Sequence, residues 1–245
     1  MDNPTYVSLS RQSGLLKELN IIANNLANIN TTGFKREGAV FTEFVQAAGG
    51  EALADDARHS LSIGRLGAHV SDFDEGEIKK TGGTLDVAIE GDGFFLVETP
   101  GGQRLTRAGH FLTNQEGTIV MPSGFAVLDD AGGQIQVPQD VNQIVIARDG
   151  TISGDGQELG RLGVVTAEAR TLFRTGENLW EAREGFAQIE APNVLQGFLE
   201  DSNVQPVAEI ARMIEVQRHY DAGQKLLEME DERIRSVIST ARQLA

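Results

Sequence analysis

The chain has 245 residues, enough for one or two domains with a hydrophobic core of useful size. Its net charge of −15 argues against nucleic acid as a partner, because binding phosphates needs clustered Lys and Arg. It contains no cysteine, which excludes disulfides, thiolate metal sites and a cysteine nucleophile.

No window approaches the roughly 20 apolar residues of a membrane span, so no membrane insertion is expected. The first residues lack the basic and then apolar regions of a secretory signal. The expectation is a soluble protein. If it acts outside the cytosol, it leaves by a route that uses no cleaved signal.

The N-terminus reads as a helix. Asn3 can cap it, with Pro4 at the first helical position. Leu15, Leu19, Ile22, Leu26 and Ile29 then follow 4-3-4-3 spacing, the seam of a coiled coil. Thr31-Thr32-Gly33 ends the helix, with Gly33 free to take the left-handed cap conformation. From about 38 to 80 the pattern is irregular. Gly49-Gly50 and Asp55-Asp56 suggest an exposed turn there, and short strands fit near 60–63 and 69–73.

The middle of the chain is β-patterned. Leu85, Val87 and Ile89 alternate, and Gly91-Asp92-Gly93 turns the chain into Phe94-Phe95-Leu96-Val97. Residues 126–128 and 135–137 flank a turn at 129–133, and 144–146 and 151–152 flank another at Asp149-Gly150. A further strand fits 162–166.

The C-terminus returns to helix, with Pro206 placed to open it. Met213, Val216, Tyr220, Leu227, Ile234, Val237 and Ala241 share one seam, in which Gly223 and Glu230 are weak points. Two seams of one type, at opposite ends of the chain, most economically pack on each other. The predicted fold is α+β: long N- and C-terminal helices paired as a coiled coil, with an all-β domain inserted between them. The boundaries are 1–34 and 196–245 for the helical parts, 35–80 for an irregular or extended connector and 81–195 for the β domain.

The first helix has an unusual rear face. Asn20, Asn24 and Asn28 recur every four residues nearly opposite the seam, with Ala23 and Ala27 beside them. No charged residue occurs between Leu19 and Phe34. An ordinary amphipathic helix presents Lys and Glu to water on that side. Asparagines facing solvent would be one explanation. A helix packed on all sides in an assembly is the other, with amides satisfying neighbouring backbones.

Four blocks resemble the bacterial flagellar rod and hook proteins. They are Asn24-Asn25-Leu26-Ala27-Asn28 continuing through Asn30-Thr31-Thr32-Gly33-Phe34-Lys35; the run 83–95, GTLDVAIEGDGFF; Thr106-Arg107-Ala108-Gly109-His110-Phe111; and Glu200-Asp201-Ser202-Asn203-Val204 continuing through Ile214 and Gln217-Arg218-His219-Tyr220. The match is poorest at 45–66 and 154–185. Within the family the opening residues look most like the proximal rod protein, with the distal rod protein close behind.

The resemblance implies a structural subunit of the periplasmic rod of the flagellar basal body. It also implies export by the flagellar type III apparatus, neighbours among other rod proteins, no cofactor, and the distal rod protein on the distal side. The terminal segments are then expected to order fully only on assembly, because burial there offsets about 1–2 kcal/mol of ordering entropy per residue. Full helicity in dilute monomer, unaffected by deleting either end, would contradict this.

The expected assembly contacts seal Leu15, Leu19, Ile22, Leu26 and Ile29 against Ile214, Tyr220, Leu227 and Ile234. Asn24, Asn25 and Asn28 would bond neighbouring chains.

A catalytic reading has less to stand on. His59, His69, His110 and His219 are scattered without ligand spacing, and there is no P-loop or Gly-x-Ser-x-Gly elbow. Asp72-Phe73-Asp74-Glu75-Gly76 imitates a calcium loop, but its glycine falls one position early and no Glu closes it at position twelve. The rival from another class is a murein-remodelling hydrolase using two acidic residues of the β domain. An adhesin-like coiled-coil protein is a second rival, disfavoured by the order of the four blocks.

Overall fold

The computed structural model describes residues 3–47 and 60–243, so the turn expected at Gly49-Gly50 and Asp55-Asp56, and His59 after it, lie outside the described residues. The chain divides into two units. The first comprises Met1–Ala27, Glu37–Asp72 and Gln205–Ala245, and the second Asn28–Arg36 and Phe73–Val204.

The first unit holds α1 (Asn3–Ala27), an antiparallel hairpin of β1 (Glu37–Ala47) and β2 (Ser60–Ser71), and α2 (Pro206–Gln243). At 1.5 Å per residue the helices are about 38 and 57 Å long. The hairpin lies within the irregular or extended connector expected over 35–80, and β2 spans the strand expected near 60–63 and part of the one near 69–73. Its sequence reads poorly because of a bulge: Val40 pairs with Ala68 but Phe41 with Leu66, leaving Gly67 without a partner. A bulge breaks the period-2 alternation on which strand reading depends.

The second unit is all β apart from one 3-10 turn, Ala169–Thr171. Its strands begin with β3 (Ile78–Lys80), β4 (Val87–Ile89), β5 (Phe94–Thr99) and β6 (Gly102–Thr106). Then come β7 (Leu112–Thr113), β8 (Ile119–Val120), β9 (Ala126–Val127), β10 (Ile144–Ile146), β11 (Thr151–Gly154) and β12 (Gln157–Arg161). The last are β13 (Val164–Thr166), β14 (Leu172–Gly176), β15 (Leu179–Ala182), β16 (Ala187–Gln188), β17 (Val194–Gln196) and β18 (Phe198–Glu200).

The main sheet runs β14-β15-β6-β5-β9-β8-β7, with β13 joined to β5 and to β16. A three-stranded sheet, β10-β11-β12, and the pairs β17-β4 and β18-β3 complete the unit. The turn expected at 129–133 is present, closed by the Leu128–Gln134 bridge, and Ile146 faces Ile152 across the hairpin of β10 and β11.

β5 explains why Phe94-Phe95-Leu96-Val97 is an unbroken apolar run. Phe95 and Val97 enter one core with Val87, Ile119, Val127, Ile152 and Val164, while Phe94 and Leu96 enter a second with Leu105, Leu128, Val165 and Trp180. A strand covered on both faces has no polar side to alternate. The second core is closed by aromatic rings, with Phe73 5.5 Å from Phe94 and 5.7 Å from Trp180 between centroids.

Candidate assembly interface

In the first unit the two helices run antiparallel. Asn25 meets Glu209, Glu18 pairs with Arg212 at 2.9 Å, and Gln12 reaches the Tyr220 carbonyl at 3.1 Å. Leu15, Ile22 and Val216 form the buried centre of the seam, and Leu19, Met213 and Tyr220 pack around them. Leu26 and Leu227 are half-buried, whereas Ile29, expected on the same seam, falls past the end of α1 and in the second unit.

Two expected seam residues do not take part within the chain: Ile214 is 46% exposed and Ile234 44%. The reasons differ. At about 100° per residue Ile214 points roughly 160° away from Val216, and it shares an exposed stripe with Val207 and Ile210. Ile234 lies on the seam side but beyond its partner. From the cross-helix pairs, Asn3 comes level with about residue 230, which leaves roughly 20 Å of α2 with no described α1 residue opposite it.

Asn25, expected to bond a neighbouring chain, instead works inside this one. It is fully buried. Its Oδ1 accepts from the Glu37 backbone N–H at 2.9 Å, while Nδ2 donates to the Glu37 carbonyl at 2.8 Å and to Glu209 Oε2 at 3.2 Å. One amide thus pairs with the first residue of β1 as a neighbouring strand would and also meets a buried carboxylate of α2. Asn24 is exposed, and half-buried Asn28 accepts from Thr31 Oγ1 at 3.1 Å as the helix ends.

The rest of α1 keeps the property that its sequence announced. Leu9, Ser13, Leu16, Asn20, Ala23 and Ala27 follow 4-3-4-3-4 spacing, all are exposed, and none is charged. They form a second seam on the side of α1 away from Leu15 and Ile22.

In the second unit, members of three of the four family-like blocks meet at one buried carboxylate, and the fourth joins them through Arg107. Glu200 Oε1 lies 2.6 Å from Lys35 Nζ, and Glu200 Oε2 lies 3.0 Å from Arg107 Nε in an ion pair. The three side chains are 1%, 1% and 4% exposed for Glu200, Lys35 and Arg107. Lys35 also donates to the Asp74 carbonyl at 2.7 Å, and Arg107 to the carbonyls of Gly93 and Gly91 at 2.9 and 2.8 Å. The Gly76 N–H donates to Glu200 Oε1 at 2.9 Å. The loop that imitates a calcium site therefore gives its Asp74 carbonyl to an ammonium group.

Around this centre, the Gly33 N–H donates to the Glu200 carbonyl at 2.7 Å and Asn178 Nδ2 to the Thr32 carbonyl at 2.9 Å. The Arg36 N–H donates to Asn203 Oδ1 at 2.7 Å, and the Arg174 guanidinium stacks 4.4 Å from the buried Phe34 ring. The nine residues Asn28–Arg36 are so fastened into the β unit by main chain, charge and ring contacts together. Thr81 and His110 both bond Asp86, each at 2.6 Å, in a separate polar cluster.

The Lys35 ammonium lies deep in this centre. Burial strips water from it and holds the pKa below the ordinary lysine range, with Glu200 opposing the shift. Between the folded pKa and the unfolded value of about 10.4, the unfolded chain binds more protons. In that window this site makes stability rise with pH, and below it the site imposes a constant penalty. Lys35 is expected to titrate ahead of the exposed lysines when side-chain Cε resonances are followed by NMR. Titration together with the others would refute the assignment.

Glu200 is also the reverse of a poised catalytic carboxylate, since it is sealed from solvent and neutralised by two cations. Among the described residues no group of three or more His, Asp or Glu is placed to hold a metal, and no helix is long and apolar enough to cross a membrane.

Three family models match the chain. Residues 6–35 match the flagella basal body rod protein model, 88–154 the flagellar hook protein FlgE/F/G D1 domain, and 195–240 the C-terminal model of the flagellar basal body rod FlgEFG proteins. The chain is similar to the flagellar basal-body rod protein FlgF of Caulobacter vibrioides, at 40% identity over 242 residues covering 97% of each chain. It is similar to FlgG of Bacillus subtilis at 34% over 260 residues, covering 97% of this chain and 98% of the relative. FlgF of Rhizobium meliloti is 33% identical over 225 residues, 90% of each.

Proposed function

The chain belongs to the flagellar basal-body rod protein family, and from that premise we propose that it is an FlgF-type subunit of the proximal rod, polymerising through its terminal helices. As a rod protein it is a structural component of the basal body and assembles with other rod components. Its place is the periplasmic rod, with FlgG on the distal side and other proximal rod proteins beside it. It reaches that place through the flagellar type III export apparatus, as an unfolded chain.

The observation that carries this reading is the second seam of α1, the uncharged and exposed row from Leu9 to Ala27. A helix already engaged by α2 along Leu15 and Ile22 has no folding use for a second uncharged stripe. A contact that repeats head to tail without closing produces a helical filament, which is the form of a rod. The expected seam residues left exposed within the chain, Ile214 and Ile234, are assigned to such neighbours. FlgG is the runner-up identity, supported by the full-length similarity to the Bacillus relative.

Ala23→Glu tests the face. Because Ala23 is exposed, the monomer should keep its circular dichroism and lose no more than about 0.5 kcal/mol of stability. A cell carrying only this variant should lose motility, and the variant should no longer pull down FlgG, while Ala23→Ser should retain both. Swimming and rod assembly equal to wild type in Ala23→Glu would remove this face from the assembly.

A further inference from the structure

Two weak positions of the helix seam lie against each other. Gln12 occupies the seam position before Leu15, in the 3-4-3 series 12, 15, 19, 22, and is only 6% exposed. Gly223 occupies the seam position after Tyr220 on α2. Gln12 Nε2 donates to the Tyr220 carbonyl at 3.1 Å, and a Cβ on residue 223 would lie 2.5 Å from that nitrogen. The missing side chain of Gly223 is the slot that Gln12 fills. Glycine also bares the Tyr220 carbonyl, which accepts the amide in addition to its own helical bond.

This arrangement does not maximise stability. Gln12 Oε1 is buried and makes no hydrogen bond among the described residues. A buried acceptor without a partner is a net cost, and an apolar side chain of similar size would avoid it. Glycine inside a helix adds a second cost.

We propose that Gln12 and Gly223 are the register key of the α1–α2 pair, selecting one alignment at the expense of stability. The need for a key follows from the lengths. The seam of α2 outruns α1, so a shift of one heptad keeps α1 on it, with Leu19 level with Tyr220 and Leu15 with Gly223. In that slipped alignment Gln12 faces the Leu227 region, where there is no glycine gap and no bared carbonyl. A single polar residue in an apolar seam discriminates between registers in this way. The inference concerns the chain by itself and stands whether or not the pair polymerises.

The absence of native cysteine makes cross-linking a clean measurement. Ser8 and Leu226 line the same groove beside Gly223, so Ser8→Cys with Leu226→Cys reports the native register. Ser8→Cys with Arg233→Cys reports the slip of one heptad. With Gln12 present, a short bis-maleimide should join the first pair and not the second. In Gln12→Leu the ratio of native to slipped product should fall by about tenfold, while the melting temperature rises by about 2–6 °C. Gly223→Ala should expel the amide and lower the melting temperature.

An unchanged cross-linking ratio in Gln12→Leu would overturn the proposal. So would both products, or neither, in the chain that keeps Gln12, and so would a Gly223→Ala variant that melts like wild type.

Discussion

Glu200→Ala is expected to lower the melting temperature of the β unit by about 6–20 °C, corresponding to about 3–5 kcal/mol for breaking a buried charge set by removing one partner. The loss arises from what remains rather than from the contact removed. Lys35 and Arg107 would stay buried with no counter-charge. Lys35 can release its proton, but Arg107 cannot, so its charge must be carried or exposed.

Glu200→Gln should be milder, because it keeps an acceptor for Lys35 and for the Gly76 N–H. Lys35→Met in the Glu200→Ala background should recover part of the loss, giving a coupling that a double-mutant cycle measures directly. Thermal unfolding of the four proteins decides the matter: a Glu200→Ala shift of only 1–2 °C (roughly half a kcal/mol) would show that the centre is solvated in solution.

Gly33→Ala is the second large effect, expected at about 2–5 kcal/mol. Two causes act together. The residue sits at φ +64°, and an added Cβ would come 2.4 Å from the Arg107 carbonyl carbon and oxygen and 2.5 Å from the Ala108 nitrogen. Those atoms are main chain and cannot swing away, so the loop must lift and the Gly33 bond to the Glu200 carbonyl is disturbed. Gly124→Ala separates the causes. Gly124 has φ +88° but nothing within 4 Å of its would-be Cβ, so only the backbone term of about 1–2 kcal/mol applies. Equal denaturation midpoints for the two variants would mean that the close approach to Arg107 contributes nothing. If the fastening of Asn28–Arg36 matters to the rod, Gly33→Ala should also impair motility more than Gly124→Ala does.

These effects could not have been ranked from the sequence. Arg107 and Glu200 stand in blocks that resemble a family, yet nothing local marks them as partners of Lys35. Glu200 lies 165 residues from Lys35, and only the β18–β3 pairing and the turns around it bring the carboxylate to the ammonium. Asn25 misled for a similar reason. Its neighbours in sequence are other amides, so it read as one more member of a contact face. Its actual partners, Glu37 and Glu209, are supplied by β1 and α2. The bulge breaks the alternation that would mark the hairpin of β1 and β2, Ile214 lies off the seam frame altogether, and for Ile234 that frame gives a face but no length of overlap.

The sequence by itself determined the helical ends with their matched seams, the β character between them, the places where glycine turns the chain, and the uncharged second face of α1. Those features follow from the fixed rotation of the backbone per residue and from which side chains tolerate water, and both are written locally. The tertiary structure alone decided that one carboxylate gathers three distant segments, that a seam glycine is a slot and not a flaw, and how far the two helices overlap. Such choices depend on which surfaces meet after the chain has closed long loops, and spacing along the chain carries no record of that.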